Sequence, residues 1–150
     1  MSDAETDRAL VTSRLIDAPP ARVFEAFADP TRLARWWGPD GFTSTFEEFD
    51  FRPGGRWRFV MHAPGGANYS NESVFAAVER PSRIVIRHES APRFDLAIAL
   101  EERSGQTLVG WRQVFPTAAE CQRIAALAAH ANEQNLDRLA AVVREEHPPG

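Results

Sequence analysis

The chain has 150 residues and a mass of 16.7 kDa, with 43% apolar residues, 25% charged residues and a net charge of −4. That is the size of one domain, and ten Phe and four Trp supply too much apolar surface for a disordered chain. The acidic balance and the absence of a basic stripe argue against a nucleic-acid partner. All 17 basic residues are arginine, which removes Schiff-base, P-loop and general-base lysine chemistry.

In chain order, Met1–Asp7 is acidic, with no basic start and no apolar run, so no signal peptide is expected. Residues 9–16 read as a first strand, which Ala18-Pro19-Pro20 stops. Proline suits a first helical turn, and Val23, Phe24 and Phe27 make the apolar face of a short helix. Asp29-Pro30 ends it and caps a second helix, which carries Leu33, Trp36 and Trp37 and halts at Gly38-Pro39-Asp40-Gly41. From residue 42 the apolar period is two. Strands are predicted over 43–51, 56–62, 69–79, 83–90, 94–102 and 106–115, separated by proline- or glycine-bearing turns. Thr117 and Glu120 have capping-box spacing and open a long helix to about residue 145. Its stripe is Cys121, Ile124, Ala128, Ala131, Leu139 and Val142. No stretch of about 18 apolar residues exists, so no membrane partner and a cytoplasmic location are expected.

Turns at this spacing imply an antiparallel meander. The expectation is an α+β fold, a single domain over 1–150 with its core at about 9–145. A curved antiparallel sheet of about seven strands wraps the long C-terminal helix, and two short helices follow the first strand. Such an arrangement leaves a cavity between sheet and helix.

Three segments carry a resemblance: Trp36 to Phe42, Asp50 to Met61, and Asn135-Leu136-Asp137-Arg138-Leu139. With the proline-led helix after the first strand, the chain resembles the activator of heat-shock-protein ATPase homologue family. That family belongs to the START-like superfamily, also called polyketide cyclase and lipid transport. The resemblance spans about residues 9–145 and implies the helix-grip fold, a container for hydrophobic ligands. One departure is Ala131-Asn132, where relatives often carry Gly-Trp.

Strand parity predicts which side chains face the helix. The ligand-facing apolar set is Trp57, Phe59, Met61, Ile86, Leu96, Trp111 and Phe115, with Ala128 from the last helix. Glu72, His88 and Gln113 fall on the same parity, and Asn132 and Asn135 lie on or beside the helix stripe. An unpartnered buried polar group costs roughly 1–3 kcal/mol, so these five either satisfy one another or face a ligand. Apolar walls with a few convergent polar groups are the usual form of a small-molecule site.

The leading expectation is therefore a hydrophobic-ligand module. A catalytic alternative, a cyclase, isomerase or hydrolase, pairs Glu72 with His88 as acid and base. A third reading is a protein-interaction or co-chaperone-like module. Phe49, Phe51 and Phe75 on the outward parity would serve self-association into a homodimer. His62, His88, His130 and His147 lack metal-ligand spacing, Cys121 is alone, and no dinucleotide fingerprint is present. No metal and no cofactor are expected.

Overall fold

Turn chemistry and two-residue periodicity together produce one continuous sheet. The computed structural model describes residues 7–146, so residues 1–6 of the acidic segment, His147 and the final prolines lie outside the described residues. The elements are β1 (Ala9–Ile16), α1 (Pro20–Ala28), α2 (Pro30–Trp36), β2 (Thr43–Phe49), β3 (Arg56–His62), β4 (Asn68–Glu79), β5 (Arg83–His88), β6 (Phe94–Arg103), β7 (Gln106–Val114) and α3 (Ala118–Glu146). The sheet has seven strands in the order β1-β7-β6-β5-β4-β3-β2, every neighbour antiparallel. It is the expected meander, closed by the first strand returning beside the last. With α3 on its inner face this is the helix-grip arrangement.

The helix ends follow local chemistry. The Asp29 carboxylate accepts the Thr31 N–H at 2.9 Å and caps α2. The Thr117 hydroxyl accepts the Glu120 N–H at 3.1 Å and donates to the Glu120 carboxylate at 3.3 Å. Val23, Phe24 and Phe27 of α1 and Leu33 and Trp36 of α2 are buried together, with Phe27 edge-on to Trp36 at 4.9 Å. The Trp36 indole donates to the Ala26 carbonyl at 2.9 Å, which removes the penalty of burying it. On the other side, Thr12 and Arg14 of β1 reach Glu133 at 2.6 and 3.0 Å and Arg14 reaches Asp137 at 2.5 Å, fastening α3 along the sheet edge.

Two bulges overturn part of the parity reading. In β2, Phe46 pairs with Phe59 but Glu48 pairs with Arg58, so Glu47 is an inserted residue. In β4, Phe75 pairs with Ile86 and Ala77 with Val85, which leaves Ala76 inserted. An extra residue inverts the faces beyond it. Phe49, Phe51 and Phe75, expected outside, instead turn inward. Phe75 is 1% exposed, and it meets Phe49 and Phe51 edge-on at 5.6 and 5.0 Å. The same inversion puts Asn71 and Ser73 on the inner face and leaves Glu72 exposed. The homodimer expectation thus loses the aromatic surface on which it rested.

The turn before β3 locks against the β4 bulge: Gly54 N–H donates to the Phe75 carbonyl at 2.7 Å, and Phe75 N–H to the Gly55 carbonyl at 2.9 Å. The two glycines differ in what they tolerate. Gly54 has φ +83° and open space around it, whereas a Cβ on Gly55 would sit 1.9 Å from the Asp50 carbonyl oxygen. Gly54→Ala is therefore expected to destabilise by about 1–2 kcal/mol, the left-handed penalty alone. Gly55→Ala forces backbone apart and should cost more than about 3 kcal/mol. Urea midpoints of the two variants check this ordering, and equal losses would contradict it.

Candidate functional site

The four tryptophans organise the space under α3. Trp37 contacts each of the other three, with ring centroids 5.7 Å from Trp36, 4.9 Å from Trp57 and 6.2 Å from Trp111. Its loop is tied to α3. Gly38 N–H donates to Asn135 Oδ1 at 2.9 Å, and Asp40 N–H to Gln134 Oε1 at 3.2 Å. The Arg138 guanidinium donates to the carbonyls of Arg35, Gly38 and Pro39 at 2.8 to 3.0 Å. These carbonyls end α2 and follow it, where a cation is favourable. Burial lowers the Arg138 pKa, with nearby Asp40 opposing the shift. Two of the segments that carried the family resemblance, residues 36–42 and 135–139, thus bind each other.

Beyond this clasp the helix stands off the sheet. Leu136, Leu139, Val142 and Val143 are buried, while Ile124, Ala128 and Ala131 are half-buried and Leu127 is 75% exposed. The gap is a chamber of about 190 Å³. The loop contributes Trp37, Gly38 and Pro39, and the sheet contributes Phe59, Met61, Asn71, His88, Phe94, Leu96, Trp111 and Gln113. Pro92 closes one side, and α3 supplies Ala128, Ala131, Asn132 and Asn135. No charged side chain is among these lining residues. The chamber opens into an outer groove of about 960 Å³ and shares six residues with it, including Met61, Pro92, Gln113 and Ala131.

The polar groups in the wall are partly spent on one another. Asn132 Nδ2 donates to Gln113 Oε1 at 3.0 Å. Among the described residues that pair leaves Gln113 Nε2 and Asn132 Oδ1 without a protein partner at the chamber wall. The indole N–H groups of Trp57 and Trp111 and the hydroxyls of Ser44 and Ser73 are buried without partners. His88 is held on three sides. Its Nδ1 lies 2.7 Å from the Pro92 carbonyl, its Nε2 lies 2.7 Å from Asn71 Oδ1, and its ring stacks on Phe94 at 4.6 Å. Burial lowers its pKa, while hydrogen bonds to the Pro92 and Ser90 backbone oppose the shift.

Of the residues singled out from sequence, Phe59, Met61, His88, Leu96, Trp111, Gln113, Ala128, Asn132 and Asn135 come together around the chamber. Four do not line it. Trp57 and Ile86 are packed into the core, at 0% and 2% exposure, and Phe115 borders a separate surface depression. Glu72 lies on the far face of β4, so the expected Glu72–His88 acid–base pair does not form. Sequence reasoning missed Asn71, Pro92 and the loop residues Trp37, Gly38 and Pro39. The signal for Asn71 was present, since β4 carries large apolar residues on both parities, Phe75 and Val78, a pattern that a bulge between them reconciles with one inner face. Among the described residues, no group of three or more His, Cys, Asp or Glu side chains could hold a metal ion. No helix there is long and apolar enough to cross a membrane.

Comparison with known proteins agrees with this architecture. Residues 17–144 match the family described as Activator of Hsp90 ATPase homolog 1-like protein. A solution structure of a protein from Arthrobacter aurescens superposes with a TM-score of 0.87 at 22% identity, covering 100% of this chain and 95% of that one. A crystal structure of a protein from Chromobacterium violaceum gives 0.78 at 27% identity, covering 89% and 96%. An AHSA1-like protein from Aeromonas hydrophila gives 0.71 at 22% identity, covering 94% and 99%. No curated protein matches the chain.

The lowered His88 pKa sets a direction for stability. The unfolded chain binds a proton at this residue at higher pH than the fold does. Its contribution is therefore complete above about pH 6.5, the ordinary histidine value, and is lost as pH falls through the lowered folded value. Wild type should lose more stability than His88→Gln between about pH 7.5 and pH 5. Denaturant midpoints across that range measure it, and parallel profiles for the two proteins would contradict it.

Proposed function

The chain belongs to the Activator of Hsp90 ATPase homolog 1-like family, and from that premise we propose that it binds a small, mainly hydrophobic molecule between its sheet and α3. The observation that carries this reading is the wall of the chamber. Aromatic and aliphatic side chains surround the unengaged amide donor of Gln113 and the unengaged amide acceptor of Asn132. Burying amides is unfavourable unless they are paired, so half-paired amides facing a cavity favour an occupant that completes them. The volume, about 190 Å³, sits somewhat above the roughly 150 Å³ of an apolar cavity that takes benzene.

The chemistry of the wall supports retention rather than turnover. The single N–H of the neutral His88 ring is taken by an oxygen of Pro92 or Asn71, each 2.7 Å away, and Glu72, its expected partner, faces away. Asn135 and Arg138 hold the loop that forms one wall, so the site is largely preformed. A preformed site loses less conformational entropy on binding.

Native mass spectrometry of freshly purified protein, set against its denatured mass, should show an added non-covalent mass. In addition, Ala131→Phe would place a ring where helix and chamber meet. It is expected to weaken binding of the neutral dye N-phenyl-1-naphthylamine by at least about tenfold without unfolding the protein. No added mass together with unchanged dye affinity in the variant would overturn the proposal. Trp37 and Trp111 line the chamber, so their emission gives an independent reading of occupancy.

A further inference from the structure

The chamber and the groove outside it differ in one respect that names the class of occupant. The chamber wall contains no charged side chain, so an ion placed there would be desolvated with no counter-charge. The groove carries Asp40, Arg93, Glu120, Arg123 and His130 along an apolar floor that includes Phe42, Ile124 and the exposed Leu127. Its charges are not equally engaged. Glu120 accepts the Thr117 hydroxyl at 3.3 Å, and Asp40 lies close enough to Arg138 to oppose the lowering of its pKa by burial. His130 is hydrogen-bonded to Gln134 at 3.1 Å. Asp95, the acid beside Arg93 in the neighbouring depression, is paired with Arg87 at 3.3 Å. Among the described residues, Arg93 and Arg123 have neither an ion pair nor a hydrogen bond. Both are exposed, one in the turn before β6 and one on α3, and both border the same groove.

The chamber volume sets a second constraint. About 190 Å³ holds a ring-sized group and little more, while the groove that continues from it is about 960 Å³. A molecule longer than one ring must lie across both. Building on the cavity reading above, we propose that the occupant is an elongated monoanionic amphiphile. Its uncharged, ring-sized end fills the chamber, its apolar stem lies against Met61, Ala128 and Leu127, and its anionic head stays in the groove on Arg93 and Arg123. Guanidinium forks suit planar oxyanions such as carboxylate.

The test uses three probes with one body and different heads: 6-phenylhexanoate, 6-phenylhexan-1-ol and 6-phenylhexylammonium. Each is titrated against the full chain by calorimetry and by tryptophan emission. Wild type should bind the carboxylate about fivefold more tightly than the alcohol, and the alcohol more tightly than the ammonium. The carboxylate preference should shrink as salt is raised. In the double variant Arg93→Gln, Arg123→Gln the preference should vanish while affinity for the alcohol stays within about twofold, since both sites are exposed and outside the chamber. Equal affinity for all three heads, or a carboxylate preference that survives in the double variant, overturns the headgroup assignment and leaves the chamber reading standing. Binding of none of the three overturns both.

Discussion

Trp37 is the side chain on which the rest of the structure depends. It is the junction at which all four tryptophans meet, and it ends α2 at the point where the chain must cross from the helices to the sheet. Aromatic pairs of this kind contribute about 0.5–1.5 kcal/mol each beyond the area they bury. The gain is available only if the following loop is held down, and the amide of Asn135 and the guanidinium of Arg138 hold it. Core packing and helix docking are therefore one event: removing the clasp would release the ring, and removing the ring would leave the clasp without a loop to hold.

The bulges at Glu47 and Ala76 complete this arrangement. By inverting the faces of β2 and β4 they bring Phe49, Phe51 and Phe75 under α1 and the Trp57 ring, thickening the core at one end. A bulge also increases local twist and bends the strand, which is how a sheet wraps a helix. At the other end the inner face carries Asn71, His88 and Gln113 among its apolar groups, and α3 presents two alanines and two asparagines there. Core residues fill one end, and the chamber is what remains at the other.

This division explains why polar residues on an apolar parity are tolerated. His88 is held between the oxygens of Pro92 and Asn71, and Asn135 accepts the Gly38 N–H, so these two are structural as well as lining. Gln113 and Asn132 satisfy each other by halves. A wall that is neutral within and flanked outside by unengaged guanidiniums is a physical filter on what can enter, by charge as much as by shape.

Much of this was readable without coordinates. Proline and glycine punctuation, two-residue alternation and the capping residues Asp29 and Thr117 act within a few residues, so element order, the meander and the long closing helix follow from local chemistry. Alternation also placed His88, Gln113, Leu96, Trp111, Phe59 and Met61 on the face that meets α3, because no bulge interrupts their strands. It failed for Glu72 and Phe75, where a single inserted residue reversed the parity. It also could not separate Trp57 and Ile86, which fill the core, from neighbours of the same parity that line the chamber. Which of two inward residues touches a cavity depends on how far a helix at the other end of the chain stands off the sheet. Local residue chemistry set the elements and most of their faces. The depth of each side chain, and the contacts of Asn71, Pro92 and the Trp37 loop, come from packing between segments distant in the chain, which alternation and capping do not encode.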